Sequence, residues 1–251
     1  MNRRLALAGA LLLAPLARTS EPITIYIAGD STAAEKLAEK RPETGWGEKL
    51  QQYFAPSDVR VEDDAKNGRS TRTFISEGLW QSIIDHMRPG DYVFIQFGHN
   101  DESKEKVDRY TPPDDYRANL VRMVNDVRGK KGFPVLLTPV YRRKFDAQGT
   151  VVDQHGVYPD IVRSVAAELK VPIIDMHRSS GALLQKIGPD SSLKLFLQLE
   201  PGENPNYPQG VHDNTHFRPL GAELMAGLAV EGIRASVPAL AAHLRGSVQG
   251  Q

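Results

Sequence analysis

ITIYIAGDST, residues 23–32, decides the reading of this chain. Its first seven residues, Ile23–Gly29, are short, mostly β-branched or aromatic, and carry no charge. A run of that length and type, ending on glycine, reads as a strand buried on both faces. Asp30, Ser31 and Thr32 follow at once. Small polar side chains there turn the chain and bond its free amides.

The same phrase recurs downstream. Val59 to Ala65 reads as a second, half-polar strand, 92–98 (YVFIQFG) as a buried third, 134–140 (PVLLTPV) as a fourth and 171–176 (VPIIDM) as a short fifth. Between them the apolar period changes to helical. Trp46, Leu50, Tyr53 and Phe54 form one such pattern. Phe74, Leu79, Ile83, Ile84 and Met87 predict one helix over 73–87, stopped by Pro89-Gly90. Tyr116, Leu120, Met123, Val124 and Val127 predict another, and residues 161–169 a third. Residues 219–235 predict the last helix, with Leu220, Leu224, Leu228 and Ile233 facing inward. Strand–helix alternation of this kind means an α/β fold with a mostly parallel sheet covered on both faces. Two loops are long. Residues 142–160 hold Asp146-Ala147-Gln148-Gly149, the centre of a small hairpin, and residues 189–213 are rich in Pro, Gly and Asn.

Composition narrows the chemistry. Lys plus Arg and Asp plus Glu are both 31 of 251 residues, so the formal net charge is zero and there is no global field for nucleic acid or an anionic membrane. Cysteine is absent, which removes thiol nucleophiles, disulfides and thiolate metal sites. Residues 1–20 begin with Arg3 and Arg4 and continue into an apolar run from Leu5 to Ala17. That is the layout of a secretory signal peptide, shorter than the ~20 residues that span a bilayer as a helix. The expected organisation is a leader over 1–20 and one catalytic domain over 21–251, exported to the periplasm or the medium. After cleavage no membrane partner is expected.

Ligands of parallel α/β sheets sit beyond the carboxyl ends of the strands. There the sequence places Gly29-Asp30-Ser31-Thr32, Asn67-Gly68-Arg69-Ser70, Gly98-His99-Asn100-Asp101 and, before the last helix, Asp213-Asn214-Thr215-His216. Each has an ordinary reading alone: a cap serine, a turn glycine, an Asx turn, a structural histidine. Together they make a hydrolytic set. A serine hydroxyl becomes nucleophilic when a base takes its proton. His216 is placed to be that base, and Asp213, three residues earlier, to hold its other ring nitrogen. The backbone N–H of Ser31 and of Gly68 and the amide of Asn100 are candidate donors to an oxyanion.

These blocks resemble the SGNH (GDSL-type) hydrolase superfamily, in family order and over residues 23–235. More narrowly, IAGDST (27–32), GWGEKL (45–50), NGRSTRTF (67–74), FGHND (97–101), TPVYRR (138–143) and DNTHF (213–217) are similar to rhamnogalacturonan acetylesterases, carbohydrate esterase family 12. The resemblance implies a three-layer α/β/α, flavodoxin-like fold with a five-stranded parallel sheet. It implies a Ser31–His216–Asp213 triad with an oxyanion hole at Ser31, Gly68 and Asn100, no metal, no cofactor, and removal of acetyl groups from pectic sugar. The expected partner is an acetylated carbohydrate and the expected state a monomer. Arg72, Arg142, Arg143 and Tyr207, in loops near the inferred rim, are candidates to bind substrate, the arginines because a guanidinium matches a uronate carboxylate.

Other readings stay open at this stage. His212-Asp213-Asn214-Thr215-His216 mimics a helical zinc motif, although its setting suggests a loop feeding a helix. Trp46, Tyr141, Tyr158 and Tyr207 could be stacking platforms of a sugar-binding protein. A lipase, a thioesterase or an acetylxylan esterase could use the same triad. No G-x-S-x-G is present, which excludes the common α/β-hydrolase elbow.

Overall fold

Side chains on β1 (Ile23–Gly29) alternate between two hydrophobic cores. Ile25 and Ile27 enter one, Tyr26 and Ala28 the other. This period-2 division places the strand inside a two-faced sheet. The computed structural model describes residues 21–246. The expected leader over 1–20 lies outside the described residues, as do 247–251. Beside β1 run β2 (Val59–Asp63), β3 (Tyr92–Gln96), β4 (Phe133–Leu137) and β5 (Ile173–Ile174). All pairings are parallel and the order is β2-β1-β3-β4-β5. β3 is buried at all five positions, whereas edge strand β2 alternates.

One core lies under α1 (Thr71–Ser76), α2 (Leu79–His86), α3 (Pro113–Gly129) and α4 (Tyr158–Leu169). The other lies under a 3-10 helix over Gly47–Tyr53, α5 (Met176–Ile187) and, after the single turn α6 (Pro189–Ser192), α7 (Pro219–Ser236). This is the three-layer α/β/α fold. The chain leaves β1 toward one edge and returns to β3 on its other side. The carboxyl ends of β1 and β3 therefore flank a topological switch point, where such sheets form their crevice.

Four expectations need correction. The helix over 73–87 is two, α1 and α2, because Gly78 takes a left-handed φ of 79° between them. The inner face of α7 is Ala222, Met225, Ala226, Ala229, Val230 and Ile233; Leu220 is exposed and Leu224 and Leu228 flank the core. Small residues let the helix approach closely: a Cβ on Gly221 would lie 2.0 Å from the Leu195 carbonyl oxygen. The fifth strand shrinks to two paired residues, and α5, unread in the sequence, begins at Met176 on an Asp175 cap whose side chain accepts from the Arg178 amide. Finally, the loop over 189–213 contains β6 (Phe196–Leu199), which pairs antiparallel with β7 (Val211–Phe217). The histidine motif thus lies on a strand, neither a loop nor a helix. Among the described residues no helix is long and apolar enough to cross a membrane.

Candidate active site

The β6–β7 ladder is interrupted where the polar motif falls. Phe196 faces Phe217 and Gln198 faces His212, so Asp213 to His216 bulge out opposite Leu197 alone. The Asp213 carboxylate closes the bulge, its Oδ1 accepting the amides of Thr215 (2.6 Å) and His216 (3.0 Å). Gln198 braces it from β6, donating to the Asp213 carbonyl at 2.8 Å and to Asn214 Oδ1 at 3.1 Å. The outcome is a histidine aimed off the sheet edge at the end of β1. His216 Nε2 lies 2.8 Å from Ser31 Oγ and its Nδ1 lies 2.7 Å from Asp213 Oδ2. Burial alone would raise the Asp213 pKa, but the bonds from His216 and from the two amides pull it down to about 2. Asp213 is therefore a carboxylate at neutral pH. It favours the tautomer with the proton on Nδ1, which turns the Nε2 lone pair to the serine.

Asp30 anchors the turn after β1. Its Oδ1 accepts the amide (2.9 Å) and hydroxyl (2.8 Å) of Thr32, and its Oδ2 lies 3.4 Å from His99 Nδ1. Burial works against ionisation here, yet His99 and the Thr32 bonds hold the pKa at about 2. Lys36, its side chain fully buried, extends Nζ to the Ser31 carbonyl oxygen, to Asn67 Oδ1 at 2.7 Å and to Glu43 at 3.0 Å. It ties the serine turn to the loop that carries Gly68.

Gly68 sits at φ 78°, a backbone that side chains rarely adopt. Asn100 donates one amide hydrogen to the Arg69 carbonyl at 2.9 Å and has a second to give. Arg109 ties the two, its Nη1 donating to Asn100 Oδ1 at 3.3 Å and to the Gly68 carbonyl at 3.4 Å. Among the described residues no protein acceptor takes the backbone N–H of Ser31 or of Gly68. Ser31, His216, Asp213 and Asn100 thus border one cleft of about 540 Å³, and Gly68 stands outside its lining, tied to Asn100 by Arg109. Its lining is polar throughout and includes Ser103, Glu105, Lys106, Arg142 and Gln154.

The candidate substrate residues divide. Arg142 lines the cleft, but its guanidinium is engaged by Glu102 and by the His99 carbonyl at 3.1 Å. Arg143 is outside the lining and grips the bulge, donating to Asn214 Oδ1 (3.0 Å), Ser192 Oγ (3.1 Å) and the Pro189 carbonyl (2.5 Å). Arg72 is exposed on α1 and donates to the Val107 carbonyl, and the Tyr207 hydroxyl donates to the Lys40 carbonyl; neither lines the cleft. Of the aromatic platforms, Trp46 is fully buried and bonds Gln96, and Tyr158 is a core residue bonded to the Asp101 and Thr111 carbonyls. His212 turns to Gln198, 3.1 Å away, so it does not join His216 in a metal pair. Lys36, Lys106 and Arg109 escaped the sequence reading. Isolated cations in polar loops carry no periodic signal.

The sequence pattern of the GDSL-like Lipase/Acylhydrolase family matches residues 27–224. The chain belongs to that family. It is a carboxylic ester hydrolase. It is 40% identical over 213 residues to the rhamnogalacturonan acetylesterase RhgT of Bacillus subtilis (strain 168), covering 85% of this chain and 90% of that one. It is 35% identical over 211 residues to the probable rhamnogalacturonan acetylesterase YesY of the same organism, covering 84% and 92%. Among solved structures, YxiM of Bacillus subtilis superposes with a TM-score of 0.73 at 27% identity over 85% of this chain. This chain spans 56% of that protein. A catalytic mutant of Axe2, an acetylxylan esterase from Geobacillus stearothermophilus, superposes at 0.60 with 17% identity, covering 85% and 94%, a likeness of fold.

Proposed function

We propose that the protein is an exported serine acetylesterase that removes O-acetyl groups from pectic carbohydrate. The observation that carries the mechanism is the 2.8 Å approach of Ser31 Oγ to His216 Nε2, with Asp213 on the opposite ring nitrogen. In this reading Ser31 attacks the acetyl carbonyl while His216 takes its proton. The tetrahedral oxyanion receives the N–H of Ser31, the N–H of Gly68 and the free hydrogen of the Asn100 amide. His216 returns the proton to the departing sugar oxygen, leaving Ser31 acetylated. Water, deprotonated by His216, then releases acetate.

The substrate side rests on two supports. Two of the similar proteins named above, RhgT and YesY, are a rhamnogalacturonan acetylesterase and a probable one. The cleft also offers no aliphatic wall for a fatty acyl chain, whereas Lys106, Glu105, Gln154 and Ser103 suit hydroxyls and carboxylates. Acetate release from acetylated rhamnogalacturonan, acetylated xylan and 4-nitrophenyl acetate tests the reading. Ser31→Ala should abolish all three while leaving the circular dichroism spectrum unchanged, because the lost hydroxyl packs nothing. Retention of more than a few per cent of the rate in Ser31→Ala rejects the nucleophile. Faster turnover of xylan than of rhamnogalacturonan rejects the pectic assignment.

A further inference from the structure

Behind the cleft, on the far side of His99, three groups converge that the hydrolytic reading does not use. Asp153 and His155 lie in the segment between β4 and α4, and His177 stands in the first turn of α5. One donor atom from each lies within 4.8 Å of the others. Asp153 Oδ1 is 2.9 Å from His177 Nε2 and 3.6 Å from His155 Nδ1. Ligands of a tetrahedral zinc ion, with bonds of about 2.0–2.1 Å, stand about 3.3 Å apart, between those two values. We propose that Asp153, His155 and His177 form a binding site for a divalent transition metal of the zinc class, which fastens residues 142–157 to α5.

Two further observations point to a cation. His155 is 1% exposed, and neither ring nitrogen has a hydrogen-bond partner. A buried polar group left so costs about 1–3 kcal/mol unless something satisfies it. Among the described residues the Asp153 carboxylate pairs with no lysine or arginine, only with the two histidines.

The surroundings fix the rings as ligands need. Tyr141 lies against His177 with centroids 4.3 Å apart, and His99 meets His155 edge-on at 4.5 Å. Asp153 is exposed, so ions enter from its side and water completes the coordination. Two imidazoles and one carboxylate suit zinc, cobalt or nickel rather than calcium or magnesium. The role is structural, since Ser31 and His216 stand at a separate cleft. The fastened segment nevertheless supplies Arg142 and Gln154 to that cleft.

The test is titration of the chelator-washed full chain with Zn²⁺ and Co²⁺, read by calorimetry, by the visible d–d absorption of Co²⁺ and by the thermal midpoint. One ion per chain with a dissociation constant in the micromolar range or below, a tetrahedral Co²⁺ spectrum and a raised midpoint are expected. Asp153→Asn and His177→Gln should each weaken binding at least tenfold, and His212→Gln should leave it unchanged. Asp153 is exposed, so its variant keeps the fold, which circular dichroism checks. Absence of saturable binding by wild type, undiminished binding by both variants, or equal loss in His212→Gln would overturn the site. Each outcome is independent of ester hydrolysis.

Discussion

A single guanidinium holds Gly68 and Asn100, two of the three proposed oxyanion donors. Arg109 donates to the carbonyl of one and to the side-chain oxygen of the other. Both bonds orient donors without touching the ester. Arg109→Met should therefore lower kcat for 4-nitrophenyl acetate by about tenfold or more with little change in KM. Deleting a donor outright costs on the order of 10²–10³. A change confined to KM would make Arg109 a substrate contact instead. Lys106 is the opposite case, a cleft cation with no ion pair among the described residues. Its ammonium is free for a uronate, unlike Arg142, which Glu102 occupies. Lys106→Ala should raise KM for an acetylated pectic oligosaccharide several-fold and spare 4-nitrophenyl acetate. Added salt should weaken the wild type toward the variant's level, because screening acts on that charge pair. Equal effects on both substrates would remove Lys106 from recognition.

At the scale of elements, the proposed base His216 and its partner Asp213 sit on the four-residue bulge of β7. Arg143 grips its Asn214 from outside, through both the backbone amide and the guanidinium. Arg143→Ala should thus slow kcat on pectic and nitrophenyl esters alike, by roughly tenfold, the mark of a misplaced His216. A loss limited to the pectic substrate would restore Arg143 to the uronate site. The sequence shows why such elements differ in legibility. β1 and β3 are apolar on both faces, so ITIYIA and YVFIQ can be read without knowing their partners. Ser31, Gly68 and Asn100 follow because strand ends in a parallel sheet share one rim, whereas Asp213 and His216 lie on β7, in the separate antiparallel pair. β7 reads as VHDNTHF, with polar residues that are excellent for a turn and poor for a strand. It is a strand because Phe217 and Phe196 pack together, centroids 5.2 Å apart, and because Gln198 braces the bulge. Both are contacts across a Pro- and Gly-rich excursion that no local pattern announces. The leucines of α7 misled for a related reason: helix-to-sheet distance, set by alanine and glycine, decides which face goes inward.

Over the whole molecule, the formal charge is zero, yet individual charges are distributed so that some oppose ionisation and some favour it. Asp213 and Asp30 are held at about 2, so they stabilise the folded chain above about pH 4 and lose that contribution only as pH falls toward 2. Asp63 behaves in the reverse sense. Its Oδ2 is sealed from solvent without a partner. Burial chiefly, with repulsion from Glu48 and Asp64, outweighs the Ala65 amide and Lys36 and lifts its pKa to about 8. A carboxyl that binds its proton more tightly when folded favours folding fully below its unfolded pKa of about 4, and that contribution is lost as pH rises through 8. Urea unfolding between pH 4 and pH 9 should therefore show wild-type stability declining across this window, with a shallower decline in Asp63→Asn, which carries no charge to bury. Parallel curves would show that Asp63 ionises freely in the folded chain. The consequence reaches the cleft. Lys36, the cation that acts on Asp63, also holds the Ser31 carbonyl and Asn67. Ionised Asp63 competes for that ammonium. Activity should accordingly fall on the alkaline side of the profile, and Asp63→Asn should move that limb to higher pH without altering the acid limb.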